Sequence, residues 1–455
     1  MRRLNTNILS GVACAASLVS VAQAQQVQHL DLIVASRAYG TLLAINPADG
    51  TIRSVVTGPD LRIPAKTIRG TGTALAGALS GDIACSRDAT IYWKLATTST
   101  TSATYRVDPA NGNRSGLFGS AGSLHDASGS PIPLDAQTLL LAADGFNGGS
   151  NANARVLRFK LPAGPTTLVS GDLVGDGVRM FRGRSMVLAD NRTAFVAEIG
   201  NFGGPANSSG LYRINLQSGA RELVSRLLVQ PLSRSSVSGG VLSPSAFIWT
   251  RGTGPVANGQ VRSLLLAGGK LYAGVSSNVA GVFYSGILEI DVSTGDRALV
   301  VGTAVLDDGI GLSVVTNPPS NAGAPAFDSP SGLTLLADGT IAFTSLFTYN
   351  AVYRLNLATR ELTVLADLGP QVTPDVRGNM QLTSMTRYTS CGADLNLDGF
   401  VDDADFSLFA VAYDILDCAD PGIAPPCAAD LTEDLVVDDQ DFVAFVPAYD
   451  RLLCD

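Results

Sequence analysis

Short runs of alternating apolar and polar side chains recur along most of the chain, and their period of two predicts strands rather than helices. Tyr353-Arg354-Leu355-Asn356 is one such run, and it follows Leu335-Leu336-Ala337-Asp338-Gly339-Thr340-Ile341-Ala342-Phe343, two mostly apolar stretches parted by a turn. Met186 to Val196 repeats that second pattern around Asp190-Asn191. Amphipathic runs of helical length are scarce before Cys391, and the 48 glycines suit a chain of many tight turns.

One strand-and-turn unit is written several times. Leu42 to Gly50, Tyr105 to Gly112, Leu211 to Gly219 and Ile287 to Gly295 each end a strand in Asp or Asn, with Gly four positions on. Val352 to Leu357 is a further copy and Val156 to Gly164 a degenerate one. Asp or Asn followed by Gly turns the chain into the next strand, as at Arg221 to Val224 or Glu361 to Leu365. Six copies, spaced 52 to 76 residues apart, predict a mainly β fold, a six-bladed β-propeller over residues 27–388. The long interval from Ile214 to Ile290 leaves room for a seventh blade. Pairing of Leu382 to Tyr388 beside Leu30 to Ala35 would close the ring. The turns resemble those of propellers sharing an I-D-P-x-x-G signature, among them NHL-like, lactonase-like and surface-repeat proteins, a resemblance that implies fold and not activity.

After residue 390 the pattern changes. Shifted by 36 positions, Cys391, Asp394, Asp398, Asp402, Asp405, Phe406, Phe409, Tyr413 and Cys418 fall on Cys427, Asp430, Asp434, Asp438, Asp441, Phe442, Phe445, Tyr449 and Cys454. The apolar residues Phe406, Phe409, Ala410 and Tyr413, and then Phe442, Phe445, Val446 and Tyr449, recur at helical spacing, so each copy of the 391–455 module reads as a loop and a short helix. In the first loop Asp394, Asn396, Asp398, the Phe400 carbonyl, Asp402 and Asp405 take positions 1, 3, 5, 7, 9 and 12 of an EF-hand-type calcium site, with Gly399 at the sharp turn. The second offers Asp430, Thr432, Asp434, the Val436 carbonyl, Asp438 and Asp441, with Leu435 where Gly is expected and Thr432 as a poorer ligand, which predicts a weaker or empty site. Two carboxylates about 4 Å apart repel by roughly 4 kcal/mol even at an effective dielectric near 20, so such crowding calls for Ca2+.

This duplicated loop-and-helix stretch resembles a type I dockerin. The resemblance implies calcium binding and attachment to a cohesin-like or cell-surface protein. Asp403-Ala404 and Asp439-Gln440 stand at positions 10 and 11, where cohesin-binding dockerins commonly carry a Ser-Thr type pair.

Charge sharpens the division between the two parts. Residues 391–455 hold sixteen acids against Arg451, whereas the rest of the chain carries thirty basic and twenty-four acidic residues. The net charge of −9 therefore reports the calcium module, and nothing forms a nucleic-acid-binding stripe. Arg2 and Arg3 precede an apolar run from Ile8 to Val21 and Ala22-Gln23-Ala24, the pattern of a signal peptide over residues 1–24, so the mature protein is expected outside the cell or on its surface. No later stretch is apolar for the length of a membrane span. Export makes disulfides the expected state of the module's four cysteines: repeat symmetry favours Cys391 with Cys418 and Cys427 with Cys454, and a clasp of Cys391 to Cys454 with Cys418 to Cys427 is the alternative. Cys85 is the odd thiol.

Chemistry in the propeller is sparse. His29 and His125 are the only histidines, which disfavours a catalytic triad or a His-ligated zinc, and Gly145 to Ser150 reads as a flexible connection. Glu198, with Asp190 and Asn191 nearby, is the one stretch that suggests a channel metal ligand. The expectation is a non-enzymatic binding or scaffold protein. The alternative is a propeller hydrolase or lyase acting on a lactone or polysaccharide, localised by the C-terminal module. Acids and amides converging on the channel would favour the enzyme, and a lining of Ser, Thr, Val and Ala the binding protein.

Overall fold

The computed structural model describes residues 27–452 apart from scattered stretches, the longest being 57–66, 73–79, 122–130, 144–154, 199–209, 227–235, 244–250, 372–379 and 421–426. The segment 1–24, His125, Gly145 to Ser150, Asn191, Gly399, Asp434, Leu435 and Cys454 lie outside the described residues.

The alternating runs are strands, and they form six sheets, each built on four principal antiparallel strands. The innermost strands are Leu382–Arg387, Ser80–Cys85, Pro131–Asp135, Gly183–Asp190, Gly259–Ala267 and Pro330–Leu335, in blade order. Each packs against the next and the sixth against the first, so the sheets close into a six-bladed propeller. The first blade is composite: Leu382–Arg387 pairs with Leu32–Ser36, Leu32 opposite Arg387 and Ala35 opposite Ser384. This is the closure expected from the sequence. The interval from Ile214 to Ile290 adds no blade; its short strands Ser236–Ser238 and Val241–Ser243 extend the fourth sheet.

The core lies between neighbouring blades. On Thr41–Ile45, Leu43 and Ile45 pack with Ala342 and Val352 of the sixth blade, while Leu42 and Ala44 pack with Ile91 and Trp93 of the second. Both faces of the strand are buried, so it reads as a continuous apolar run. Each such Leu or Ile contributes roughly 1.5–3 kcal/mol of burial.

The repeated turn has one geometry in five of the blades; in the third, Pro162 to Gly164 lie outside the described residues. In the first blade Asn46 Oδ1 accepts from Ala48 N at 3.1 Å, Gly50 N donates to Asn46 O at 2.9 Å, and Gly50 sits at φ +71°. Asp108, Asn215 and Asp291 repeat that arrangement with Gly112, Gly219 and Gly295, and in the sixth blade Arg360, at φ +61°, takes the glycine's place.

Two residues past the turn glycine an arginine locks adjacent blades together. Arg297 Nε donates to Pro255 O at 2.7 Å, Nη1 to Ser225 Oγ and Gly295 O, and Nη2 to Gly252 O and Gly254 O. Arg221 makes the same clasp with Ser170 Oγ, Gly171 O, Val174 O, Gly175 O and Val178 O. The Gly-x-Gly connection that supplies these carbonyls has no room for a side chain, since a Cβ on Gly252 would lie 1.8 Å from Gly295 O. Where the first and sixth blades meet, the Gln371 side chain takes over, donating to Gly50 O and accepting from Ile52 N.

Beyond the propeller stand α1 (Asp403–Ile415) and α2 (Asp439–Tyr449). Asp402 and Asp438 cap them, each reciprocated by Asp405 or Asp441 in a capping box. Phe409 and Phe445 stack at 5.1 Å near a pseudo-twofold axis that pairs Phe406 with Phe445 and Phe409 with Phe442. The same symmetry has Tyr413 donate to Asp439 and Tyr449 to Asp403, and these carboxylates hold both phenols above their ordinary pKa. Cys418 bonds to Cys427, linking the copies rather than closing one. This corrects the pairing favoured by repeat symmetry: the copies are related by rotation, which sets the end of the first against the start of the second. Cys391 is also disulfide-bonded, and Cys85 is in no disulfide, its thiol donating to Ser86 O at 3.3 Å.

Candidate functional site

Two regions gather charged side chains, the C-terminal loops and one end of the propeller channel. In the first loop Asp405 is fully buried at the start of α1, with Oδ1 accepting from Leu395 N at 2.7 Å and Asn396 N at 2.9 Å, and Oδ2 from Asp402 N at 3.0 Å. Burial, helped by the Asp394 charge, holds its carboxyl above the ordinary range in spite of those three donors. Asp394 is itself buried, its Oδ1 accepting from Asp398 N at 3.1 Å. Asn396 and Asp398 are exposed and bonded to each other, Phe400 N donates to Asp398 Oδ1, and Asp402 is spent on capping α1.

The second loop reproduces this frame. Asp441 Oδ1 accepts from Thr432 N and Oδ2 from Asp438 N, both at 2.8 Å. Asp430 is buried beside Cys418, while Thr432 and Val436 are exposed and Asp438 caps α2. Val437 N donates to Leu416 O, tying the second loop to the end of α1. Among the described residues no three acidic, His or Cys side chains converge as a preformed metal cage. Each loop nevertheless places carboxylates 1 and 12 inside the fold, where hard oxygen donors fit a calcium-type cation.

His29 joins this module to the propeller. Its Nδ1 accepts from Ser390 N at 3.0 Å, so the ring proton sits on Nε2, which donates to Asp394 Oδ2 at 2.8 Å. The histidine dismissed as a triad member therefore anchors position 1 of the first loop. Arg387, at the end of the innermost strand of the first blade, lies within the field of Asp394.

Glu198 is buried at the end of its strand, accepting from Tyr212 Oη at 3.2 Å. Asp190 sits at the other end of that hairpin, accepting from Arg192 N in the turn. The two do not form a joint metal site.

The channel is charged differently from either expectation. Asp82, Arg184 and Arg262 stand on three innermost strands, and Arg37 follows Leu32–Ser36. Each is partly solvent-exposed while its strand neighbours Ile83, Ser185, Val261 and Ser263 are buried. Arg184 and Arg262 occupy β-bulges: Gly183 pairs with Glu198 and Ser185 with Ala197, leaving Arg184 between them, and Arg262 stands likewise between Val261 and Ser263. A bulge re-aims the side chain it inserts. Asp82 lies opposite Lys94 across its hairpin. Desolvation pushes the Asp82 carboxyl up, partly offset by Arg184, Lys94 and Arg262, and pushes the Arg262 guanidinium down, with Arg184 and Arg37 adding to the effect. The signal shared by the two positions in the sequence is an Arg-Ser pair, Arg184-Ser185 and Arg262-Ser263, whose facing depends on the bulge.

No protein-family model matches the chain, and no curated protein sequence matches it. Among solved structures it is similar to TolB from Acinetobacter baumannii at 13% identity, covering 85% of this chain and 74% of that one, with a TM-score of 0.42. It is also similar to a putative 6-phosphogluconolactonase from Bacteroides fragilis (11% identity, 79% and 98% coverage, TM-score 0.40) and to an oligogalacturonate lyase in complex with manganese (12%, 75% and 86%, 0.35).

Proposed function

We propose that this is a secreted, non-enzymatic binding protein, in which the propeller presents a ligand face and a dockerin-like module folds around calcium to attach it to a partner. The duplicated loop frame carries this reading: Asp405 and Asp441 accept equivalent backbone donors, and a buried Asp394 or Asp430 accompanies each. Asp394, Asn396, Asp398, the Phe400 carbonyl, Asp402 and Asp405 would hold the ion in the first loop. Asp430, Thr432, Asp434, the Val436 carbonyl, Asp438 and Asp441 would do so, more weakly, in the second. When bound, calcium would neutralise carboxylates that otherwise repel, so its binding energy is folding energy. Leu408, Val411 and Val443 are exposed on the two helices and supply an apolar attachment face. The signal-peptide-like pattern of residues 1–24 and the module's disulfide suit the proposed extracellular setting. In the channel, three guanidiniums oppose a divalent ion, which favours ligand binding over metal-assisted hydrolysis.

Calorimetric titration of the full chain with CaCl2 tests the reading. One tight site, or one tight and one weak, is expected; no saturable calcium binding would remove it.

A further inference from the structure

His29 stands at the corner of the turn Gln28 to Asp31, which Asp31 N closes by donating to Gln28 O at 3.0 Å. The next corner residue, Leu30, lies at φ +65°, a place that normally falls to Gly or Asn. A leucine keeps that conformation only where its surroundings over-determine it, and such strain gathers where a fold has to aim a group. Here the turn is locked from several sides. The Asp31 carboxylate accepts from Gln28 N and from Arg53 Nε, both at 2.9 Å, and Leu30 N donates to Tyr388 O at 2.8 Å.

The chain leaving the propeller is fixed to the same corner. Tyr388 N donates to Asp31 O at 2.8 Å, Thr389 Oγ1 to Ser86 O at 3.4 Å and Ser390 N to His29 Nδ1 at 3.0 Å. Three consecutive residues are thus bonded to the propeller, and four positions on Asp394 accepts from His29 Nε2 at 2.8 Å. That bond is enclosed, the side chains of His29 and Asp394 being 7% and 0% exposed. Asp398 N, from within the loop, donates to the other oxygen of Asp394 at 3.1 Å, so each domain grips one oxygen of the carboxylate. His29 does this as a neutral imidazole and orients the carboxylate without adding to the positive field of Arg387 there.

We propose that His29 is a positioning residue for the first calcium loop, so that the propeller completes a site the C-terminal module does not complete alone. The proposal rests on the calcium reading above and adds that the module's affinity for the ion depends on the propeller. Coupling of this kind is reciprocal: the factor His29 lends to calcium affinity is the factor by which calcium strengthens the bond from His29 to Asp394. Calcium would then fix the module's orientation on the propeller as well as fold it. Removing a group that orients a metal ligand costs about ten- to a hundredfold in affinity.

Full-length wild type and two variants are titrated calorimetrically with CaCl2. His29→Asn keeps an acceptor for Ser390 N where Nδ1 stands and loses the donor to Asp394, whereas His29→Gln keeps a donor where Nε2 stands and loses that acceptor. Positioning of Asp394 predicts that His29→Asn weakens the tight site about tenfold or more and His29→Gln less than about threefold. A histidine that only bolts the linker would give the opposite order. His29→Asn binding as tightly as wild type, or His29→Gln weakened as much as His29→Asn, overturns the proposal. Should His29→Asn not fold, a His125→Gln chain decides, because its single imidazole is then His29. In spectra of isotope-labelled histidine the Nε2 signal should shift saturably with calcium, and a signal unmoved at saturation overturns the proposal. No calcium binding by wild type would instead sink the calcium reading, and this one with it.

Discussion

Replacing Asp405 with Asn separates a structural carboxylate from a calcium ligand. In the folded chain the side chain accepts three backbone N–H bonds, two on Oδ1 and one on Oδ2. The amide keeps one oxygen, so the donors of Leu395 and Asn396 stay satisfied, while its NH2 faces Asp402 N. Stranding one donor costs roughly 1–3 kcal/mol. Removing a buried charge beside Asp394 gives part of that back, because burial holds this carboxyl above its usual range and the ionised form is the disfavoured one in the fold. Without calcium the net loss should therefore be small, about 1 kcal/mol. With calcium at a hundred times its dissociation constant, the wild-type module gains about 2.7 kcal/mol. If losing the closing charge weakens affinity about a hundredfold, that gain falls to about 0.4 kcal/mol. The difference of about 2 kcal/mol corresponds to roughly 10–15 °C in the calcium-induced shift of a domain this small. Differential scanning calorimetry of both proteins, with and without calcium, reads it directly. Equal calcium-induced shifts in wild type and Asp405→Asn would refute the assignment of Asp405 as a ligand.

Two predictions concern the propeller. Arg297→Met leaves the oxygens of Pro255, Gly252, Gly254, Gly295 and Ser225 without their buried donor and should cost about 3–5 kcal/mol, read from denaturant midpoints; a loss under 1 kcal/mol would show that the clasp is not needed between blades. Asp31 is fully buried against Arg53, and desolvation pushes its pKa up to about 6. Because the fold raises this acid's pKa, its contribution is present below the unfolded pKa and lost as pH rises to 6, by roughly 3 kcal/mol; Asp31→Asn should flatten the stability profile between pH 4 and 6, and an unchanged slope would contradict the assignment.

Much of this was legible in the sequence because it is local. The Asx-to-Gly turn is set within five residues, so its copies counted the blades, and the run from Leu382 supplied the strand that closes the ring. The duplicated loop-and-helix frame was equally visible, since each copy is written within a few dozen residues. What escaped depends on contacts across the chain. The Gly-x-Gly connections at Gly175 and Gly252 gain their meaning only from Arg221 and Arg297, which lie more than forty residues on and reach back to their carbonyls. Arg184 and Arg262 face the channel because bulges shift the register, and a one-residue slip exchanges lining for core. The Cys418–Cys427 bond stood in the sequence only as the alternative to the pairing that repeat symmetry favours, because choosing between them needs the rotational packing of the two copies.

The most direct test of the central claim is calorimetry of the full-length, disulfide-intact protein in calcium and again in excess chelator. The account predicts a C-terminal transition that falls by at least 10 °C, or disappears, on chelation, while the propeller transition stays in place. A C-terminal transition unchanged by chelation would contradict it.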